Sequence, residues 1–109
     1  NISVEEDSQS IKDRKNLGTN GYLEITILIT PKGNIHNNPV ITFKGLPIYE
    51  KEEFVYGLED EIEKTIRTFK LGNKQQENNL IDALKIACRK FTKDKTGKKP
   101  FTNINLVKI

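Results

Sequence analysis

The chain has 109 residues, of which 30% are charged, and its formal net charge is +3. A chain of this length forms one domain and buries roughly two-thirds of the surface that it exposes when unfolded. It has one cysteine, which excludes an intrachain disulfide, and no apolar run long enough to cross a membrane. We therefore expect a cytoplasmic protein that has a modest hydrophobic core and no membrane partner.

The start of the chain differs in composition from the rest. The sequence lacks methionine and begins at Asn1, so we expect a piece of a longer protein or a processed one. Residues 1–20 are polar, lack a sustained hydrophobic period and end in glycine and asparagine. This composition is typical of a lead-in segment or linker. Residues 21–109 carry the periodic patterns and are predicted to form the folded domain.

Two β-strands are predicted first. The run GYLEITILIT alternates over ten residues and is rich in β-branched types. One face carries Leu23, Ile25, Ile27 and Ile29, and the other carries Tyr22, Glu24, Thr26 and Leu28. The loop PKGNIHNNP is rich in turn-forming residues, and a second β-rich run, VITFKGL, follows from Val40 and ends at Gly45. The simplest pairing for the two runs is an antiparallel hairpin.

Two amphipathic helices are predicted next. The first is indicated by apolar residues at spacings of four and three, and it breaks at Gly72. Its stripe consists of Phe54, Leu58, Ile62, Ile66 and Phe69. The second helix has Asn78 or Asn79 as its candidate N-cap, and it ends at Gly97. Its stripe consists of Leu80, Ile81, Leu84, Ala87, Cys88 and Phe91.

The last run, FTNINLVKI, returns to a β-like pattern. Ile104 and Leu106 lie on one face, and Val107 and Ile109 lie on the other. Because both faces are apolar, this strand is predicted to be either central in the sheet or partly covered by something outside the chain. The order β-β-α-α-β predicts an α+β fold. We expect a two-layer sandwich in which a small three-stranded sheet, mixed or antiparallel, carries two helices on one face.

The sequence offers few groups for catalysis or metal binding. It has one histidine, His36, in the hairpin loop, and one cysteine, Cys88, on the apolar stripe of the second helix. These cannot form a zinc site of ordinary ligand type and spacing. Seven carboxylates stand against one lysine between residues 50 and 63, a pattern typical of a solvated helix face. We expect no catalytic, cofactor or metal site in this chain.

A basic cluster occupies residues 85–99, where seven cations stand against one acid. Three interpretations are open: stabilisation of the helix C-terminus, attraction of RNA phosphates, or contact with the acidic helix of another copy. The nearby aromatic residues, Phe91 and Phe101, are interpreted as core, so no platform for base stacking is predicted. The candidate contacts to RNA or to a neighbouring subunit are Lys90, Lys93, Lys95, Lys98 and Lys99.

The order of several landmarks resembles the C-terminal domain of ribonuclease J over about residues 8–109. The landmarks are Asp13-Arg14-Lys15 with Leu17, the glycine at 45 after the second strand, and KTGKKP at residues 95–100 after an alanine-containing helix. The GLP that follows the second strand resembles the proteobacterial branch of the family.

This resemblance implies that the catalytic part of the parent enzyme lies outside these residues. In the family, a metallo-β-lactamase domain with an inserted β-CASP domain holds two zinc ions and cleaves RNA, both from the 5′ end and internally. The C-terminal domain is associated with oligomerisation and full activity. The resemblance therefore implies a non-catalytic domain that forms a homo-oligomer, either a dimer or a tetramer, and meets RNA through its parent. The candidate self-association residues are Leu106, Val107 and Ile109.

An RNA-binding module is the alternative. The element order is similar to the core of type II KH domains, in which a GxxG loop between two helices clamps the RNA backbone. The corresponding loop here reads GNKQ, from Gly72 to Gln75, and lacks the second glycine. A weaker, lysine-mediated contact with phosphates is the other form of this alternative.

Overall fold

A computed structural model describes residues 20–36 and 38–109. Its elements are β1 (Tyr22–Ile29), β2 (Val40–Lys44), α1 (Lys51–Arg67), α2 (Lys74–Thr96) and β3 (Phe101–Lys108). The predicted order β-β-α-α-β is confirmed. The lead-in segment or linker predicted for residues 1–20 lies outside the described residues, except for Asn20.

The three strands form one mixed sheet in the order β2-β1-β3. The β1 and β2 strands are antiparallel, as the hairpin prediction requires, whereas β1 and β3 are parallel. Of the two predicted sheet types, the mixed one is therefore correct. The alternative that placed the last strand in the centre of the sheet is wrong, because β1 occupies the centre and β3 lies at an edge.

The core lies between the sheet and the two helices. Leu23, Ile25 and Ile27 on β1 are fully buried, and the alternation of burial along this strand matches its sequence pattern. The helices add Phe54, Leu58 and Ile62 from α1 and Leu80, Leu84 and Cys88 from α2. Each large apolar side chain buried in this way contributes about 1.5–3 kcal/mol relative to an exposed one. The predicted two-layer arrangement follows from this one-sided burial.

The ends of the helices differ in part from the prediction. The α1 helix ends at Arg67 with Thr68 as its C-cap, so Phe69 lies beyond the helix although it still packs against the core. The Thr68 hydroxyl donates a hydrogen bond of 2.8 Å to the Thr65 carbonyl oxygen, a local bond that competes with continuation of the helix. Sequence periodicity cannot detect this, because Phe69 keeps the helical spacing.

The α2 helix begins earlier than predicted. The Asn73 side chain caps it by accepting a hydrogen bond of 2.8 Å from the Gln76 backbone N–H. The predicted caps, Asn78 and Asn79, are wrong, since both lie inside the helix. The first turn of α2 is polar and therefore does not contribute to the apolar stripe. The predicted C-terminus is confirmed, because Gly97 has a left-handed φ of 78° and its N–H donates to the Lys93 carbonyl.

Candidate functional site

The sheet has one face that no helix of the described residues covers, which we call the open face. The strand register places its side chains in rows across the sheet. The first row contains Lys44, Tyr22 and Phe101. The next rows are polar or small: Thr42, Glu24 and Asn103, then Val40, Thr26 and Asn105. Leu28 and Val107 form the last row. The face is therefore cationic and aromatic at one end, polar in the middle and apolar at the other end.

The middle of the open face is a hydrogen-bonded network around Glu24. The carboxylate accepts a hydrogen bond of 3.0 Å from Asn103 Nδ2 and one of 3.4 Å from Asn105 Nδ2. Asn105 Nδ2 also donates to the Thr26 hydroxyl at 3.2 Å. Hydrogen bonds from Asn103, Tyr22 and Asn105 lower the pKa of Glu24, because they stabilise the ionised form. The network thus holds a negative charge in a fixed position.

An aromatic pair lies at the start of the two parallel strands. The rings of Tyr22 and Phe101 are stacked, with centroids 6.0 Å apart and an angle of 11° between their planes. Both side chains are half-buried, and neither belongs to the core cluster. The interpretation of Phe101 as core is therefore wrong, because the parity of β3 directs its side chain away from the helices. Phe91, the other aromatic interpreted as core, does pack against the core cluster.

The five candidate lysines lie on α2 and in the segment that follows it. Lys90 and Lys93 are exposed on α2, and Lys98 and Lys99 are exposed in the segment that joins α2 to β3. Lys95 differs from these, because its Nζ lies over the Phe91 ring, 5.6 Å from the centroid, at the contact between the helices. None of the five forms an ion pair within the described residues. Lys98 and Lys99 immediately precede buried Pro100 and the aromatic Phe101, so they lie closest in sequence to the open face.

The outer edge of β3 has no neighbouring strand within the described residues. The backbone N–H groups of Phe101 and Ile109 donate to carbonyl oxygens of the central strand and its flank, each at 3.0 Å. Because backbone groups alternate in direction along a strand, the N–H groups of Thr102, Ile104 and Leu106 point away from β1. The edge therefore presents a row of backbone donors and acceptors along an eight-residue strand.

The three candidate self-association residues lie at the end of this edge strand. Leu106 is half-buried and packs against the core, so its side chain is largely used within the domain. Val107 and Ile109 are exposed, with relative accessibilities of 41% and 53%. The neighbouring Lys108 forms an ion pair with Glu77 on α2, which holds the end of β3 against the helix layer.

The acidic helix is solvated, as predicted from the sequence. Its carboxylates pair only within α1 among the described residues, where Asp60 pairs with Lys64 and Glu63 pairs with Arg67. These exposed pairs contribute little to stability. The acidic surface of α1 is therefore available for a cationic partner.

The two side chains considered for catalysis, His36 and Cys88, have different environments. His36 is exposed in the loop between β1 and β2, and its backbone N–H donates to the Leu28 carbonyl oxygen. Cys88 is fully buried in the core. Burial, with a smaller effect of the Glu61 charge, raises the pKa of Cys88 to about 12. The thiol is thus protonated at neutral pH, and the interpretation of Cys88 as a buried packing residue is confirmed.

Within residues 20–36 and 38–109, no three side chains of the histidine, cysteine, aspartate or glutamate type are grouped as ligands. Neither of the two described helices has an apolar stretch that could span a bilayer.

The loop compared with a GxxG clamp serves mainly as a helix start. Asn73 is the N-cap of α2, and Lys74 and Gln75 already belong to the helix. The Gln75 side chain donates a hydrogen bond of 3.0 Å to Asn79 Oδ1. The turn lacks the second glycine that permits close approach of the RNA backbone in a GxxG loop. The geometry gives less support to the KH-like form of the RNA-binding alternative than to contacts elsewhere.

Sequence reasoning missed most of the open face, including Tyr22, Glu24, Lys44, Asn103 and Asn105. The signal that could have found them is the alternation of side chains along each strand. It places Tyr22 on the face opposite Leu23, and it places Phe101 on the same face as Val107. This alternation does not predict the parallel register between β1 and β3, which brings the two aromatic residues together.

Comparison with known families agrees with the landmarks quoted from the sequence. The family model described as the ribonuclease J C-terminal domain matches residues 9–108. No protein of the curated collection matches the chain. The match spans nearly the whole length and includes every described strand and helix. The chain therefore belongs to the family of ribonuclease J C-terminal domains, and its family links it to a parent ribonuclease and to RNA processing.

Proposed function

We propose that this domain performs no chemistry of its own and joins copies of its parent ribonuclease into a homodimer. The observation that carries the proposal is the outer edge of β3, which pairs with no strand among residues 20–36 and 38–109. In the proposed dimer, two β3 strands pair in antiparallel orientation across a two-fold axis, and the two three-stranded sheets become one continuous sheet. Such an interface uses the same surface on both copies, as is usual for closed dimers.

Three features of β3 support its role as the pairing edge. It is longer than the other edge strand, since β2 has only five residues. Short edge strands resist pairing with other chains, whereas long ones with free backbone groups invite it. The side chains of Val107 and Ile109 are exposed next to this edge and would form cross-strand apolar contacts in the dimer.

The chemistry of the parent enzyme is proposed to lie in another part of the protein. Hydrolysis of RNA at two zinc ions would be carried out by the metallo-β-lactamase and β-CASP regions that the family resemblance implies. In this proposal the present domain positions two such catalytic regions relative to each other, which is how it would contribute to full activity.

Light scattering of the 109-residue chain over a wide concentration range tests the proposal. We expect a mass near twice the 12.5 kDa of one chain at high concentration. The double substitution Val107→Lys and Ile109→Lys should leave a monomer, because it replaces the exposed apolar side chains of the proposed interface with charged ones. The control is Val40→Lys, which adds one lysine at an exposed valine of the opposite edge strand and should leave the dimer intact.

A second pair of variants tests the backbone directly. Thr102→Pro removes an N–H that points away from β1, so it should weaken the dimer and leave the fold nearly unchanged. Thr102→Ala removes the same side chain, keeps the N–H and serves as the control. A wild-type chain that stays monomeric at every concentration would falsify the proposal.

Salt distinguishes edge pairing from the charged contact considered from the sequence. If the acidic α1 of one copy faced the basic end of α2 in another, the dimer would dissociate as salt screens the charges. Strand pairing with apolar side-chain contacts should keep most of its affinity from low to high salt. If salt dissociates the dimer and the β3 variants have no effect, the dimer interface lies on the helices and not on the edge of β3.

A further inference from the structure

We propose that the open face of the sheet binds single-stranded RNA, with a base stacked on the Tyr22–Phe101 pair. The inference does not depend on the proposed dimer, because it uses the face of the sheet and not its edge. It also differs from the loop-clamp and basic-helix interpretations, since neither of those uses the residues of this face.

The aromatic pair is placed where a base could reach it. The two rings lie nearly parallel at the N-terminal end of β1 and β3, on the side of the sheet away from the helix layer, and each remains partly exposed. An open β-sheet face that carries aromatic side chains is a common way to bind unpaired bases, because every base offers a flat face for stacking. The pair therefore supplies the part of an RNA site that a lysine cluster cannot supply.

Cations flank the aromatic pair. Lys44 is the direct neighbour of Tyr22 across the β1–β2 pairing and is exposed. Lys98 and Lys99 are exposed in the segment that leads into Phe101. Lysines thus neighbour Tyr22 across the sheet and precede Phe101 in the chain, and they are the candidate contacts for the phosphates that adjoin a stacked base. This charge complementarity favours a nucleic acid over an uncharged or cationic partner.

The polar rows argue against another protein surface as the occupant. A second copy packed on this face would have to remove water from the ionised Glu24 and from the amide groups of Asn103 and Asn105. Burial of a charge without an opposite charge is costly, and protein interfaces have few charged residues at their centres. An RNA base can instead use these groups, since carboxylates accept from amino groups of bases and amides both donate and accept.

The single strand is preferred because duplex RNA hides the faces of its bases. Bases in a helix are stacked on each other, and proteins contact such helices mainly through their backbone and shape. A site built from rings and amides needs unstacked bases. The substrate class is therefore single-stranded RNA in contact over a few nucleotides.

Fluorescence anisotropy of the 109-residue chain with a labelled ten-nucleotide oligoadenylate tests the inference. We expect binding to the single strand and much weaker binding to the same strand in a duplex. Tyr22→Leu and Phe101→Leu should each lower the affinity roughly five- to 150-fold, which is the range for loss of one stacking contact. Leucine keeps the side chain apolar, and an unchanged melting temperature would show that each variant is folded.

The controls separate stacking from other effects. Tyr56→Leu removes an aromatic side chain that is 67% exposed on α1 and should leave the affinity unchanged. Lys44→Gln should reduce the steepness of the salt dependence by about one phosphate contact, whereas Lys70→Gln, an exposed lysine beyond α1, should not. Light scattering of the Tyr22→Leu chain, with its mass equal to that of the wild type, would separate this site from the dimer.

Three outcomes would overturn the inference. The first is a wild-type chain that binds no single strand at low salt. The second is equal affinity for the duplex. The third is binding that survives both leucine variants but is lost in Lys90→Gln and Lys93→Gln, which would assign the RNA contact to the helix lysines alone.

Discussion

The ring of Phe91 on α2 lies directly over Gly57 on α1, so that a Cβ added at Gly57 would lie 2.6 Å from the Phe91 Cζ atom. This close approach is shorter than real Cβ contacts allow. The glycine is therefore the residue that lets the two helices and the ring pack together, and Phe54 completes the contact with its ring centroid 5.7 Å from that of Phe91.

Replacement of this glycine should reveal the contact. In an exposed helix, Gly→Ala stabilises by about 1 kcal/mol, but Gly57→Ala forces the Phe91 ring to move, and such overpacking costs typically about 1–3 kcal/mol. We expect a net loss of stability in urea unfolding. In a Phe91→Ala background the sign should reverse, and Gly57→Ala should stabilise the chain. The same effect in both backgrounds would show that the ring does not determine the cost.

The N-cap of α2 offers a direct check on the position of the helix start. Asn73→Ala removes the acceptor for the Gln76 N–H and should lower the free energy of unfolding by about 0.5–2 kcal/mol. Asn73→Asp keeps an acceptor and should cost little. Asn78→Ala, inside the helix, should be neutral or slightly stabilising, because alanine is the better helix former. Thermal unfolding of the three variants measures these changes. A larger loss of stability in Asn78→Ala than in Asn73→Ala would indicate that the helix begins at the position expected from the sequence.

The buried thiol should give a dependence of stability on alkaline pH. The folded pKa of Cys88 is raised to about 12 from an ordinary value of 9.0, so the folded state holds its proton more tightly than the unfolded state. This contribution is complete below about pH 9 and is lost as the pH rises towards 12, with a limiting slope of about 1.4 kcal/mol per pH unit. Urea unfolding from about pH 8 to about pH 10.5 measures how steeply the free energy of unfolding falls with pH. Cys88→Ala should show a smaller slope, and identical slopes would contradict the burial of the thiol.

The carboxylate on the open face should titrate below its ordinary range. Its hydrogen bonds from Asn103, Tyr22 and Asn105 lower the pKa of Glu24, so its contribution to stability is present above the ordinary glutamate pKa and is lost as the pH falls through the folded value. In Asn103→Ala, NMR titration of the side-chain carboxyl should show the pKa of Glu24 moving back towards normal. Asn79→Ala, on α2, serves as the control and should leave it in place.

Strand and helix identity could be predicted from the sequence because local patterns encode it. Alternation identified β1, and the spacing of Leu80, Leu84 and Cys88 identified the buried side of α2. The limits of the helices were less accurate, because caps depend on single side-chain hydrogen bonds. Asn73 and Thr68 determine the ends by contacts that leave no periodic trace.

The position of each strand within the sheet could not be read from local patterns. The apolar residues on both faces of β3 suggested either a central strand or a strand partly covered by something outside the chain. In the structure they have separate causes: Ile104 and Leu106 face the helix layer, whereas Phe101 stacks on Tyr22. The candidate site likewise could not be predicted from local patterns. Lysines could be counted in the sequence, but the Tyr22–Phe101 pair depends on a register between residues at opposite ends of the domain.

The parallel pairing of β1 with β3 also affects how the domain is made. The hydrogen bond from Asn103 to Glu24 joins residues 79 positions apart, and the intervening hairpin and helices must be synthesised before it can form. Until the ribosome has released β3 from its exit tunnel, the apolar central strand has a neighbour on one side only. The domain is therefore expected to gain its native stability late and in one step, after β3 has left the tunnel, and the nascent chain is most open to aggregation or capture by a chaperone before that point.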